Sequence, residues 1–313
     1  MSILISMYRI QLKCETQENI RMPIRKVVLP VAGMGTRLLP ATKSQPKEML
    51  PVGYKPVVQY VVEEMIDQGL TKFLFITGRK KRSIEDHFDD DPELEAKLSS
   101  KEQTLLEPEY DKEGAEFYYA RQRRPTGNAD AVRLGREFVG KESFVVAFGD
   151  TIIHSPTKPM VLERMAESHE RHGSAATIGV WDIPATETVK YGIVKPRGSV
   201  SDDFIIDDIV EKPQSGNAPS LSAVAARYIF NPDIFEAIDL ISPGLGGELW
   251  LTDAIRILIK QGAMVRCVRL NSDEQRYDIG TPLTYYKAFT DFALRDSENA
   301  GAYRAYLKEK LKC

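Results

Sequence analysis

The chain has little of what marks several protein classes. No run of about 18 apolar residues occurs anywhere in it, so no transmembrane helix is expected. Cysteine is scarce: Cys14, Cys267 and Cys313 are far apart and form no CxxC pair. A disulfide scaffold and a zinc module are therefore disfavoured, and a reducing, cytoplasmic setting is expected. Neither charge sign dominates, with 42 Lys and Arg against 45 Asp and Glu, so a general nucleic-acid binder is not expected either. The four histidines, His87, His154, His169 and His172, show no metal-ligand spacing and no Ser/His/Asp order. Residues 1–22 hold one short apolar run without a basic n-region or a small-residue cleavage site. We expect an irregular extension there, with Met22 open as an alternative start.

What is present is ordinary globular material. An apolar fraction of 42% suffices for a sizeable core, and 313 residues suit one large α/β domain or two smaller ones. Lys26–Leu29 is a short β-branched run before Pro30 and a glycine loop, the pattern of a buried strand. Ala32 to Lys55 reads as a long loop. Pro56–Gln68 has helical spacing, and Phe73–Ile76, Phe117–Tyr119 and Phe144–Ala147 read as further strands. Helices are expected at 129–138 and 158–169, then a strand at 176–180. This alternation predicts an α/β fold with a Rossmann-like, doubly wound, mostly parallel sheet. From Tyr191 to Phe230 short strands and turns predict an antiparallel excursion inserted at about 185–230. Helices follow at 232–239, 251–260, 282–292 and 302–312. We expect one domain over 23–292 and a C-terminal helical segment over 293–313.

The first strand runs into Val31-Ala32-Gly33-Met34-Gly35-Thr36-Arg37. Leu38 stands where a dinucleotide fingerprint needs its third glycine, and the P-loop spacing is absent. Phosphate is still the chemistry indicated. Glycines after a strand let backbone N–H groups approach an anion. Arg37, Lys43 and Lys47 place three cations near the strand's carboxyl end, where open α/β sheets bind ligands. Arg37 and Lys47 are the candidate catalytic cations. Glu48 follows Lys47; an acceptor-only group suits a ligand N–H or hydroxyl better than a phosphate. Gln122 can both donate and accept through its amide, or serve as a surface polar residue. Asp150 closes Phe148-Gly149-Asp150 at a strand tip, placed either to hold Mg²⁺ or to form a turn. Asp278 in Tyr277-Asp278-Ile279-Gly280 is a second metal candidate. Asp253 suits a helix start equally well. No chemistry is assigned to the cysteines.

Several segments in order carry a resemblance: GMGTR at 33–37, PKEMLPV at 46–52, RQ at 121–122 with Gly127 and DAV at 130–132, FGD at 148–150, YGIV at 191–194, VEKP at 210–213, GGELWLTDAI at 246–255 and YDIGTP at 277–282. Over about 24–292 the chain resembles the sugar-1-phosphate nucleotidylyltransferases, and among them the bacterial UTP–glucose-1-phosphate uridylyltransferases. That resemblance implies Mg²⁺-dependent formation of UDP-glucose and pyrophosphate from UTP and glucose 1-phosphate. It places Ala32, Gly33, Gly35, Glu48, Gln122 and Gly127 at the nucleotide. It gives Gly192 and Glu211 to the sugar and Lys212 to its phosphate, as a third catalytic residue. It also implies a homodimer or homotetramer, with no nucleic-acid or membrane partner.

The departures fall around sugar and base. TGNADA at 126–131 stands where GLGHA is usual, Pro219-Ser220-Leu221 where PSN is, and Trp250 where Gln is. Three readings therefore stay open: UTP with glucose 1-phosphate, the same chemistry with dTTP, CTP or another hexose 1-phosphate, and a weakly active regulatory paralogue that binds nucleotide sugars.

Overall fold

The computed structural model describes residues 24–99 and 114–311. The extension expected over 1–22, and both Cys14 and Cys313, lie outside the described residues. In chain order the strands are β1 (Lys26–Pro30), β2 (Pro51–Val52), β3 (Lys55–Pro56), β4 (Lys72–Thr77), β5 (Glu116–Arg121), β6 (Phe144–Ala147), β7 (Thr151–His154), β8 (Ala176–Asp182), β9 (Gly192–Pro196), β10 (Asp203–Glu211), β11 (Ser222–Phe230), β12 (Val265–Arg269) and β13 (Gln275–Asp278). The helices are α1 (Val57–Ile66), α2 (Arg82–Phe88), α3 (Pro92–Glu95), α4 (Asn128–Arg133), α5 (Arg136–Val139), α6 (Val161–His172), α7 (Asp233–Leu240), α8 (Leu251–Lys260), α9 (Pro282–Ala293) and α10 (Ala300–Leu311).

Nine strands form one mixed sheet in the order β5-β4-β1-β6-β11-β8-β12-β10-β9. β4, β5 and β6 run parallel to β1 in adjoining pairs, and β12 runs parallel to β8. β11 runs antiparallel between β6 and β8, in the middle of the sheet. Only β9 and β10 close an edge, so the antiparallel segment is partly woven into the main sheet rather than set beside it. Local pattern cannot show this, because strand order depends on pairings far apart in sequence. The helix expected over 129–138 is two helices, α4 and α5, separated at Gly135, a poor helix former. Within the expected loop 32–55 lie three 3-10 turns and the β2–β3 hairpin.

Alternation along the strands sends side chains to both faces. Val28, Leu74, Phe144 and Val146 pack in one core with α4, α7 and α8. Val27, Leu29, Phe73, Phe75 and Val145 pack in another with α1 and α6. Because β1 and β6 are parallel neighbours in register (Val27 opposite Val145), their carboxyl ends emerge side by side. The glycine loop and the Phe148–Asp150 turn are thereby brought together.

A charged pair stiffens this turn from beneath. Arg227 is fully buried in β11, and its guanidinium donates to both carboxylate oxygens of Glu64 on α1, at 2.9 and 2.5 Å. The same guanidinium donates to the Thr151 carbonyl at 2.9 Å. The register of β11 against β8 shifts between Val224 and Tyr228, and Ala226 there takes φ 63°. Its carbonyl accepts from the Phe148 N–H at 3.3 Å. Asp150 therefore sits between two backbone anchors, at 148 and at 151.

Candidate active site

The loop after β1 folds back on itself. The Thr42 hydroxyl donates to the Gly35 carbonyl at 2.7 Å. The third 3-10 turn, Lys47–Met49, returns Lys47 beneath the glycines, so that a Cβ built on Gly33 would stand 3.8 Å from Lys47 Nζ. The Lys47 ammonium donates to the Asp150 carboxylate as an ion pair. Gly149, just before it, is required by packing: a Cβ there would stand 2.5 Å from Val31 Cγ1.

Asp278 is brought in by the small sheet of β7 and β13, in which it lies opposite Thr151. The next residue, Ile279, donates its N–H to the Asp150 carbonyl at 2.9 Å. Arg37 closes the group from the solvent side. A Cβ on Gly280 would meet Arg37 Nη2 at 3.0 Å and Asp278 Oδ2 at 2.9 Å. Arg37, Lys47, Asp150 and Asp278 thus share one place at the carboxyl ends of β1 and β6.

Burial and close charges together set the electrostatics of this group. Burial alone would lower the Lys47 pKa, but Asp150, followed by Glu48 and Asp278, outweighs it and holds the ammonium well above its ordinary value. Burial would raise Asp150, yet Lys47 and then Arg276 keep its carboxyl below the usual range. Asp278 is pushed up, chiefly by burial and by Asp150 against the pull of Arg276. Among the described residues no three His, Cys, Asp or Glu side chains cluster as a metal cage. Two carboxylates beside a loop of glycines and cations would fit Mg²⁺ nonetheless, since that ion takes one or two carboxylates and completes its shell with phosphate and water.

Arg276 carries no motif signal in the sequence. Its guanidinium stands over the rings of Trp181 and Tyr191, 5.4 and 5.2 Å from their centroids. It is the first cation to counter burial at Asp278. Tyr228, fully buried, feels both Glu211 and Arg276, which ties this group to the next.

Gly192, Glu211 and Lys212 form a second group. A Cβ on Gly192 would lie 3.2 Å from Glu211 Oε2, and Thr252 donates to that same oxygen at 3.2 Å. Lys212 takes φ 42°, its N–H donates to the Tyr191 carbonyl at 3.0 Å, and its Nζ lies 3.3 Å from Glu211 Oε1. The ammonium also sits 3.8 Å from the centroid of the Trp250 ring, a cation–π contact.

Gln122 and Gly127 form the third group. Gln122 is 5% exposed, and its Nε2 donates to the Gly127 carbonyl at 3.1 Å. Gly127 takes φ 122°, with the Leu249 backbone so close that a Cβ would stand 2.3 Å from its carbonyl oxygen. Leu249 in turn donates to the Thr126 carbonyl and accepts from the Ala129 N–H, at 2.8 and 3.0 Å. The segment that carries Trp250 is thereby fixed against the third group.

Two residues expected at the nucleotide have close protein neighbours. Ala32 packs beside Gly78, whose added Cβ would be 3.0 Å from the Ala32 carbonyl oxygen. Glu48 is 1% exposed, and the Lys81 ammonium holds its carboxylate at 2.6 Å. Lys81 is 33 residues away, so the sequence offers no sign of the pair.

A loop of glycines and cations beside two carboxylates lies at the carboxyl ends of parallel strands, where open α/β sheets bind ligands. The family model for nucleotidyl transferases matches residues 26–294, and the chain belongs to that family. It is 40% identical over 277 residues to a UTP–glucose-1-phosphate uridylyltransferase of Bacillus subtilis, covering 88% of this chain and 93% of that one. A second B. subtilis protein of the same name, YngB, is 41% identical over 94% of this chain and 97% of its own length. Among solved structures, the UTP-bound UGPase from Acinetobacter baumannii superposes with a TM-score of 0.82 at 33% identity, over 91% of this chain and 99% of that chain. A UDP-glucose pyrophosphorylase complexed with UDP-glucose gives 0.79 at 33% identity, over 87% and 100%.

Proposed function

We propose that the chain catalyses UTP + α-D-glucose 1-phosphate → UDP-glucose + pyrophosphate. The observation that carries the proposal is the convergence of Arg37, Lys47, Asp150 and Asp278 on one place beside the glycine loop. Relatives named for this activity supply the choice of base and sugar. The sheet is read as Rossmann-like and doubly wound over 23–292, with about 185–230 serving the sugar.

An oxygen of the sugar phosphate attacks the α-phosphorus in line. The bond from that phosphorus to the oxygen bridging the β-phosphate breaks, and pyrophosphate leaves. The attacking oxygen is already anionic near pH 7, so no general base is needed, and catalysis is positioning and charge stabilisation. Glu211 accepts from sugar hydroxyls, and Lys212 turns from Trp250 and Glu211 onto the sugar phosphate. Lys47 and Arg37 take up charge on the triphosphate and the departing pyrophosphate. Asp150 and Asp278 would hold Mg²⁺, which neutralises the triphosphate when bound. Gln122 and Gly127 meet the base. Ala32, Gly33 and Gly35 border the nucleotide through backbone, while Glu48 anchors the loop through Lys81. We further propose a cytoplasmic homodimer or homotetramer, checked by light scattering; among the described residues no helix is long and apolar enough to cross a membrane.

Pyrophosphate release from a panel of nucleoside triphosphates and sugar 1-phosphates, with Mg²⁺, tests the proposal. The expected best pair is UTP with glucose 1-phosphate. Folded protein that releases none with any pair overturns it.

A further inference from the structure

Gln122 does not choose freely which end of its amide to present. Nε2 donates to two acceptors at once, the Gly127 carbonyl at 3.1 Å and Asp130 Oδ2 at 2.8 Å. Neither partner can donate, so the nitrogen of the amide is fixed on that side by chemistry. Asp130 is itself held. The Thr126 hydroxyl donates to Oδ2 at 2.6 Å, and Arg133 from the same helix pairs with Oδ1. Asp130 is 8% exposed and Gln122 5%, so water competes little for these bonds.

We propose that Asp130 is a specificity-determining positioning residue, which locks Gln122 so that only its carbonyl oxygen faces the base. This deepens, and rests on, the assignment of a pyrimidine triphosphate to the site. An acceptor-only amide suits the N3–H of uracil. It opposes cytosine, whose N3 is a lone pair, and leaves a buried acceptor without a donor there. Thymine carries the same N3–H, so this lock does not separate UTP from dTTP. Asp130 lies in the Thr126–Ala131 segment that departs from the usual pattern of the resembling enzymes.

The test is kcat/KM for UTP, CTP and dTTP with glucose 1-phosphate, for wild type, Asp130→Ala and Asp130→Asn. Asp130→Asn is nearly isosteric and serves where Asp130→Ala does not fold. Its oxygen is claimed by Arg133, so its amide N–H₂ turns toward Gln122 and favours the flipped amide. We expect the UTP-to-CTP ratio to fall about tenfold or more in the folded variants, with the UTP-to-dTTP ratio unchanged. A general structural loss would lower all three substrates together and leave the first ratio intact. Wild type active on UTP with an unchanged UTP-to-CTP ratio in the variants overturns this assignment alone. Wild type inactive on every pyrimidine triphosphate overturns the proposed function and this assignment with it.

Discussion

Replacing Lys47 with methionine separates catalysis from stability at one position. The side chain keeps its length and loses its charge. Turnover loses a cation whose contact strengthens as charge moves onto the leaving pyrophosphate, worth about 3–4 kcal/mol, or roughly 10² to 10³ in kcat. Stability changes through Asp150. In the wild type Lys47 holds that carboxyl below its ordinary value of 3.8, so the pair stabilises the fold above that pH and the contribution fades on acidification. Without Lys47, burial pushes the same carboxyl up beside Asp278, and Arg276 compensates its charge only in part at neutral pH. Breaking a buried pair from one side costs about 3–5 kcal/mol. Some exposure remains here, 16% and 17% on the two side chains, which argues for the lower end. The deficit should shrink as pH falls toward the carboxylate range. A Lys47→Met/Asp150→Asn double variant should recover most of the stability and none of the turnover. Pyrophosphate release and denaturant unfolding at two pH values are the assays. A fall in kcat of less than tenfold, or a single variant as stable as wild type at neutral pH, refutes the reasoning.

Arg227→Met should destabilise by about 3–5 kcal/mol in urea unfolding, because Glu64 is left charged in the core. Adding Glu64→Met should restore most of that loss; no restoration would show that the pair is not the cause. Trp250→Ala removes a cation–π contact of about 0.5–2 kcal/mol from Lys212, and KM for the sugar phosphate should change several-fold while KM for the nucleotide stays put. His169 is buried between Thr177 and Asn231, and burial holds its pKa below 6.5. A depressed base stabilises the fold above its ordinary pKa and loses that contribution as pH falls, so unfolding free energy should drop below about pH 6.5. His169→Gln should flatten that slope only in part, since burial depresses His87 and His154 as well.

The parts that were legible in the sequence are those written into short segments. Lys26–Leu29 and Phe144–Ala147 are apolar and β-branched enough to be strands alone, and the residues after them meet in the candidate site. Lys47 could be nominated from within PKEMLPV, and Asp150 because it closes FGD. Their meeting, across 103 residues, needs β1 and β6 to be parallel neighbours. What stayed hidden is pairwise and long-range. Nothing near Glu48 announces Lys81, nothing near Arg276 announces the Trp181 and Tyr191 rings, and nothing in Ser222–Phe230 announces a place in mid-sheet. Asp130 was visible only as part of the DAV segment; its grip on Gln122 depends on the turn at Gly127.

The most direct measurement is a crystal structure of the chain with UTP and Mg²⁺. We expect the triphosphate within hydrogen-bonding distance of Arg37 and Lys47, with the metal between Asp150, Asp278 and the phosphates. A triphosphate seated away from these four side chains would contradict the claim that they form one site.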